Sequence, residues 1–334
     1  PPLLAIISSC AAGLIGDDIE AIARGAGLSC PIAVLDSSGL SGSFADGWDK
    51  AACAVLSAFL PEQRAGQANA VNLIGVTSAY YNGENDAHEL MRFLALAGYR
   101  VNAVLGCDMS AADLSGLTQA SLNIVVHDEL GGGAARLLAE TCGMPCIAPL
   151  PPYSRAGTRK WLAEIGRVLP APRADAAEEE ITRVTREDFL RINECKSLWG
   201  ELRYETALIR APRSTAWGIA QALRTEWADV CHLAVAADAE GVPTAAPIAD
   251  EILGETDAVR IRELLNGLDG GLLIGSSNES AHINPRTAAY FPAAYPVQDV
   301  LHLSDAPFMG LRGARHIEET LWNDRILRRK ILLP

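Results

Sequence analysis

The stretch SSCAAGLIGDDIEAIA, Ser8 to Ala23, sets a cysteine behind an apolar run and follows it with small residues, a glycine and two acids. The run before it, LLAII (Leu3–Ile7), reads as a short buried strand. DDIEAIA reads as the start of an amphipathic helix with acid in its first turn, where negative charge suits the helix dipole. Cys10 therefore falls at the carboxyl end of a strand, where the chain crosses into a helix. In open α/β sheets that edge is where ligands bind.

On either side of this stretch the same unit of apolar run, turn and helix recurs. PIAVLDS (31–37) is a strand, and WDKAACAVLSAFL (48–60) is a helix stopped by Pro61. NAVNLIGV (69–76) is a strand, DAHELMRFLALAG (86–98) a helix and RVNAVLG (100–106) the next strand. SAADLSGLTQA (110–120) carries a Ser N-cap with Asp113 three residues on, an acidic capping box. LNIVVH (122–127), a helix over 132–142 and PCIAPLP (145–151) complete another round. PAPRADAAEEE (170–180) interrupts the rhythm and reads as a boundary. A long helical stretch (180–202), strands at 206–211, 230–237 and 270–277, and helices at 214–227 and 313–329 follow. Strands alternating with helices of this length build parallel sheets through βαβ crossovers. The expected fold is α/β, with two to three Rossmann-like units. Residues 1–60 form an incomplete first unit carrying Cys10, and residues 69–170 and 181–330 form the other two.

The 334 residues are enough for a sizeable core, and a formal charge of −13 argues against nucleic acid or an anionic membrane surface as the main partner. No apolar run reaches the length of a spanning helix, and no basic-then-apolar leader opens the chain, so a cytoplasmic location is expected. The chain starts with Pro1 rather than Met, which leaves room for a natural start outside it. Eight cysteines scattered through apolar segments suit a reducing compartment, most of them as inert core residues. Cys142 and Cys146 stand in a C-x3-C arrangement, which is neither a zinc nor a redox spacing.

HDELGGGAARLL (127–138) puts three glycines between strand and helix, readable as a tight turn or as backbone amides for an anion. It matches neither nucleotide-binding fingerprint. The six histidines form no metal-binding spacing, and no G-x-S-x-G occurs, so serine hydrolase chemistry has no support. Cys10 reads either as a small buried residue or as a thiolate for a soft metal or an iron–sulfur cluster. One cysteine is not a cluster site, since clusters take about four ligands.

SSCAAGLIGDDIEAIA resembles the Cys-x-x-x-(Leu/Val)-Ile-Gly-Asp-Asp-(Ile/Leu) motif of nitrogenase component 1 subunits and their cofactor-scaffold relatives. VNLIG (71–75), the run from ELMRFLALAGYR to LNIVV and LAETCGMPCIAPLPPYSRAGTRKWLAEIG are similar to the family's second-domain segments. LLIGSS and AYPVQDVLHLSDAPFMGLRGARHIEETLWN are similar to the close of its β-type subunits. The resemblance implies Rossmann-like domains and a β-type subunit of a nitrogenase-like two-component reductase. Cys10 would be a metal ligand to an iron–sulfur cluster, P-cluster-like or 4Fe–4S, shared with a homologous α-type subunit in a heterotetramer. An ATP-dependent iron protein would deliver electrons to that cluster, with ATP used by the iron protein and the small-molecule substrate held mainly in the partner. The alternative is a non-catalytic scaffold for assembly of a nitrogenase-type metal cofactor.

Two departures bear on this. The position matching the α-type cofactor cysteine is His127, which agrees with a β-type tail and implies that His127 binds no metal. The family's two further cluster cysteines lie in an N-terminal region with no counterpart here. The chain is therefore truncated, incompletely represented or a divergent member. Dinitrogen, a tetrapyrrole ring and a thioether are all reduced by relatives of this architecture, so the substrate stays open.

Overall fold

The structure is a computed structural model and describes residues 1–16, 18–35, 42–59, 66–237, 248–254 and 256–332. The chain divides into two compact units. One comprises Pro1–Thr77 with Tyr99–Pro149, the other Ser78–Gly98 with Leu150–Pro334. All strand pairing among the described residues is parallel.

In the first unit β1 (Leu4–Ile7) leads into α1 (Cys10–Ile15) and α2 (Ile19–Gly25), and β2 (Ile32–Leu35) returns to pair with β1 in a two-stranded sheet. Next comes α3 (Phe44–Ala58), whose N-terminus is closed by a capping box between Ser43 and Asp46. This start lies four residues ahead of the expected one, because the cap chemistry precedes the apolar periodicity. Pro61, the expected stop, and Asp36 and Ser37 of the expected second strand lie outside the described residues. After β3 (Ala70–Ile74) comes α4 (Gly83–Leu96), which belongs to the second unit. Then follow β4 (Arg100–Leu105), α5 (Ala111–Ser115), β5 (Leu122–Val125), α6 (Asp128–Cys142) and β6 (Cys146–Ile147). The four-stranded sheet has the order β4-β3-β5-β6. β3 and β5 are buried at every position, the signature of parallel strands covered on both faces. The strand expected over 145–151 shrinks to two residues, since Pro145, Pro149, Pro151 and Pro152 remove ladder donors.

Inside that sheet three asparagines form an amide ladder. Asn72 Nδ2 donates to Asn123 Oδ1 at 2.8 Å and to the Leu117 carbonyl at 2.9 Å. Asn102 Nδ2 donates to Asn72 Oδ1 at 2.9 Å and to the Gly116 carbonyl at 3.0 Å. Asn72 and Asn123 are fully buried and face each other in register. A slip of β3 against β5 would strand these amides without partners, so the ladder specifies the register.

The second unit contains α7 (Arg155–Val168), α8 (Ala174–Trp199), β7 (Arg203–Ala211), α9 (Arg213–Ala222), β8 (Asp229–Ala237), β9 (Glu251–Leu253), α10 (Ala258–Asn266), β10 (Leu272–Gly275), α11 (Ser277–Ser280), β11 (Ala289–Pro292) and α12 (Gly310–Leu332). Its sheet has the order β11-β10-β7-β8-β9. The boundary expected at 170–180 is corrected here: from Ala174 onward it is the first two turns of α8. Pro170 and Pro172 precede the helix, and the Ala and Glu residues after them are strong helix formers. α7, α8 and α12 are tied together through Arg155, which is 4% exposed. It pairs with Asp188 at 2.9 Å, with Glu318 at 2.6 Å and with Glu226. Arg315 adds a second cation on Asp188 at 2.8 Å.

Asn72→Ala is expected to lower the unfolding free energy by about 2–4 kcal/mol, because it leaves the buried amide of Asn123 and the half-buried amide of Asn102 short of partners. Chemical denaturation of the variant against the parent chain checks this.

Candidate functional site

The candidate site is built on α1. Ser9 adopts an extended conformation and its hydroxyl accepts from the Ala12 amide at 3.2 Å, which opens the helix at Cys10. Gly16 closes it in the left-handed region at φ 79° and sends the chain on to α2. Asp18 caps α2 by accepting from the Ala21 amide at 2.9 Å. Of the two acids expected to start that helix, Asp18 does so, and Asp17 lies outside the described residues. Cys10 is exposed, at the carboxyl end of β1, on the surface of the first unit. The elements that carry it and follow it also turn apolar side chains to water: Ile7 on β1 is 68% exposed, Leu14 and Ile15 on α1 76% and 75%, and Ile22 on α2 66%. Exposed apolar groups of this size, gathered on adjoining elements, mark a surface meant to be covered.

The donor set of this chain is small. Among the described residues, which include all eight cysteines, no disulfide is formed and no group of three or more His, Cys, Asp or Glu side chains is placed to hold a metal. Cys10 by itself is not a self-sufficient metal site, and a cluster held through it would need its other ligands from elsewhere.

His127 is in a different place and a different environment. The four-stranded sheet reverses its order between β3 and β5, and His127 follows β5 at that switch point, 3% exposed. Gly75, after β3, has φ 77°, and a Cβ there would lie 2.5 Å from the His127 carbonyl. Only glycine permits this approach of the two strand ends. Burial pushes the His127 imidazole down from 6.5 to about 3, so it is neutral throughout the physiological range.

The three glycines beside it lie within the first turns of α6, which starts four residues ahead of the expected helix. Two of the amides here are taken by the chain itself: Gly133 and Ala134 donate to Asp49 Oδ1 of α3 at 3.0 and 3.2 Å. A Cβ at Gly133 would lie 2.2 Å from the Asp49 carboxylate. Gly133 is therefore required by the chain's own acid, and the glycines expected as a tight turn lie inside α6 instead. Burial raises the Asp49 pKa, and the two amides act against that rise. Nothing local in the sequence marks Asp49, because its partners are some 84 residues away.

The profile of the nitrogenase component 1 type oxidoreductases matches residues 1–324. The B subunit of light-independent protochlorophyllide reductase from Prosthecochloris aestuarii is 29% identical over 174 residues, 49% of this chain and 31% of that protein. Its counterpart from Chlorobium phaeobacteroides is 30% identical over 52% of this chain and 35% of its own length. That of Nostoc punctiforme is 27% identical over 76% of this chain and 51% of its own. The chain thus spans between about a third and a half of these relatives. A solved structure of nitrogenase Cp1 at pH 6.5 superposes with a TM-score of 0.77 over 99% of this chain and 76% of that one, at 15% identity. It shares the fold. No helix among the described residues is long and apolar enough to cross a membrane.

A buried imidazole whose pKa is lowered on folding contributes stability above about pH 6.5 and loses it as the pH falls below that value. The unfolding free energy of the parent chain is expected to drop, relative to His127→Leu, by roughly 1.4 kcal/mol per pH unit below pH 6. Parallel urea titrations between pH 7.5 and 5 measure it; equal slopes for the two proteins would contradict the burial.

Proposed function

The chain belongs to the nitrogenase component 1 type oxidoreductases, and on that premise we propose that it is the β-type subunit of a nitrogenase-like two-component reductase. Its partner is a homologous α-type subunit, and an ATP-dependent iron protein supplies the electrons. The observation that carries the reading is the placement of Cys10: an exposed thiol at a strand's carboxyl end, on elements that also carry uncovered apolar side chains. When bound, an iron–sulfur cluster would supply one-electron transfer at that surface. The chain's own residues hold and shield. Ser9 opens α1 so that the Cys10 thiolate starts the helix, and Ala11 and Ala12 keep the surface beside it low. Leu14, Ile15 and Ile22 would exclude water once a partner lies on them, which strengthens every charge interaction at the thiolate.

His127 takes no metal in this account. It stands where an α-type subunit would carry its cofactor cysteine, and its imidazole is enclosed beneath the strand ends, so the substrate pocket belongs mainly to the partner. The names of the curated relatives describe reductase subunits, which favours reduction over the scaffold role. Protochlorophyllide is the substrate of those relatives.

In the assembled complex, Cys10→Ala is expected to lower iron content and the broad absorption near ~400 nm that thiolate-to-iron charge transfer produces, with the fold retained by circular dichroism. His127→Ala should leave both unchanged. A Cys10 variant with full iron and an unaltered spectrum would leave the cysteine a surface thiol and defeat the assignment.

A further inference from the structure

The second unit holds a cavity that the cluster reading does not use. It lies between α8 and α12, beside the N-terminus of α7, and has a volume of about 290 Å³. The two long helices run parallel along it: Arg315 pairs with Asp188 near one end, and Arg329 donates to the Trp199 carbonyl near the other. That alignment sets Arg191 at about the height of Glu319, and Cys195 at about the height of Trp322 to Ile326.

The lining falls into three parts. At the end next to α7 the charges already have partners: Arg155 is engaged by Asp188, Glu318 and Glu226, and Arg315 by Asp188 and Glu187. Further along, Ile192 and Cys195 of α8 and Trp322 and Ile326 of α12 make an apolar slot, with Trp322 buried and the other three half-buried. At the rim stand two exposed charges of opposite sign, Arg191 on the α8 wall and Glu319 on the α12 wall. Among the described residues neither has an ion-pair partner, and they do not pair with each other across the cavity. Asn323, also exposed on the α12 wall, makes no side-chain hydrogen bond among the described residues.

This lining selects a type of ligand. A lone anion drawn to Arg191 would meet Glu319, and a lone cation drawn to Glu319 would meet Arg191. A zwitterion answers both charges from one position, and hydrocarbon attached to it enters the slot and leaves water. A cavity of about 290 Å³ lies at the small end of ligand pockets, which suits a metabolite of amino-acid size.

We infer that the α8–α12 cavity binds a free α-amino acid with an apolar side chain. Its carboxylate is held by Arg191 and the Asn323 amide, its ammonium by Glu319, and its side chain by Ile192, Cys195, Trp322 and Ile326. The site belongs to the second unit and Cys10 to the first, so it stands or falls independently of the cluster.

The test is isothermal titration calorimetry of the full chain with L-leucine and L-phenylalanine, with fold checked by circular dichroism. Saturable one-to-one binding is expected. Arg191→Ala and Glu319→Gln each remove one exposed charge, and each should weaken binding by on the order of tenfold or more. Ile192→Trp fills the slot while keeping both charges, and should abolish binding. N-acetyl-L-phenylalanine and L-phenylalanine amide each lack one of the two ligand charges and should bind at least about tenfold more weakly than L-phenylalanine. No binding of either amino acid to the folded chain would overturn the proposal. So would affinities that the rim variants leave unchanged, or a blocked form that binds as tightly as the free amino acid.

Discussion

Parallel pairing is the constraint from which the rest of this molecule follows. Two parallel strands cannot be joined by a tight turn, so each pair needs a crossover, and those joining β1 to β2, β3 to β4, β5 to β6 and β7 to β8 run through helices. Every strand then ends on the same edge of its sheet, and whatever follows a strand is delivered to that edge. Cys10 follows β1 and His127 follows β5 for this reason. They receive opposite treatment there: Cys10 is left exposed on a short helix, and His127 is closed in by Gly75 and the start of α6.

Where polar groups are buried, the chain supplies its own partners. The asparagine ladder does so in the first unit, fixing the register of β3 and β5. Arg155 does so in the second, where one guanidinium faces three carboxylates. Burial pulls its pKa down, and Glu318 and Glu226 more than reverse this. Glu318, by contrast, is raised: burial leads, Arg155 opposes it, and the nearby negative charges of Glu226 and Asp188 add to the rise. The two directions agree physically, since the acids outnumber the cations that face them. Such a hub binds α7, α8 and α12 into one arrangement rather than adding much net stability, because desolvation offsets most of the attraction. Removing Arg155 alone would take the cation from Glu318 and Glu226 and leave Asp188 with Arg315.

Much of this is legible in the sequence, for identifiable reasons. Alternating apolar runs and helical periodicity expose the parallel α/β plan, because doubly covered strands are continuous in Val, Ile and Leu. Capping boxes such as Ser110 with Asp113 are local, and the structure forms that one as expected. Signals spread over distance stay hidden. Asp49 acts on Gly133 and Ala134 from another helix, and Arg155 gathers acids from three other elements. Proline-rich composition misleads at 170–180, where the prolines stop just short of the helix they precede. The short elements β9, α10 and β11 have too few residues, or too mixed a pattern, to stand out by period. At the candidate site the placement of Cys10 is legible from its strand and helix neighbours. The apolar surround is not, since Leu14 and Ile15 look like core residues until the fold shows them in water.

The central claim is that Cys10 offers its thiolate to iron at a covered surface, and alkylation kinetics test it most directly. Cys10 should react readily with iodoacetamide in the isolated chain. It should be protected in the iron-loaded complex and become reactive again when iron is chelated with the complex still assembled, as read by peptide mass spectrometry. Modification of Cys10 at the same rate in the iron-loaded and iron-free complex would contradict the account.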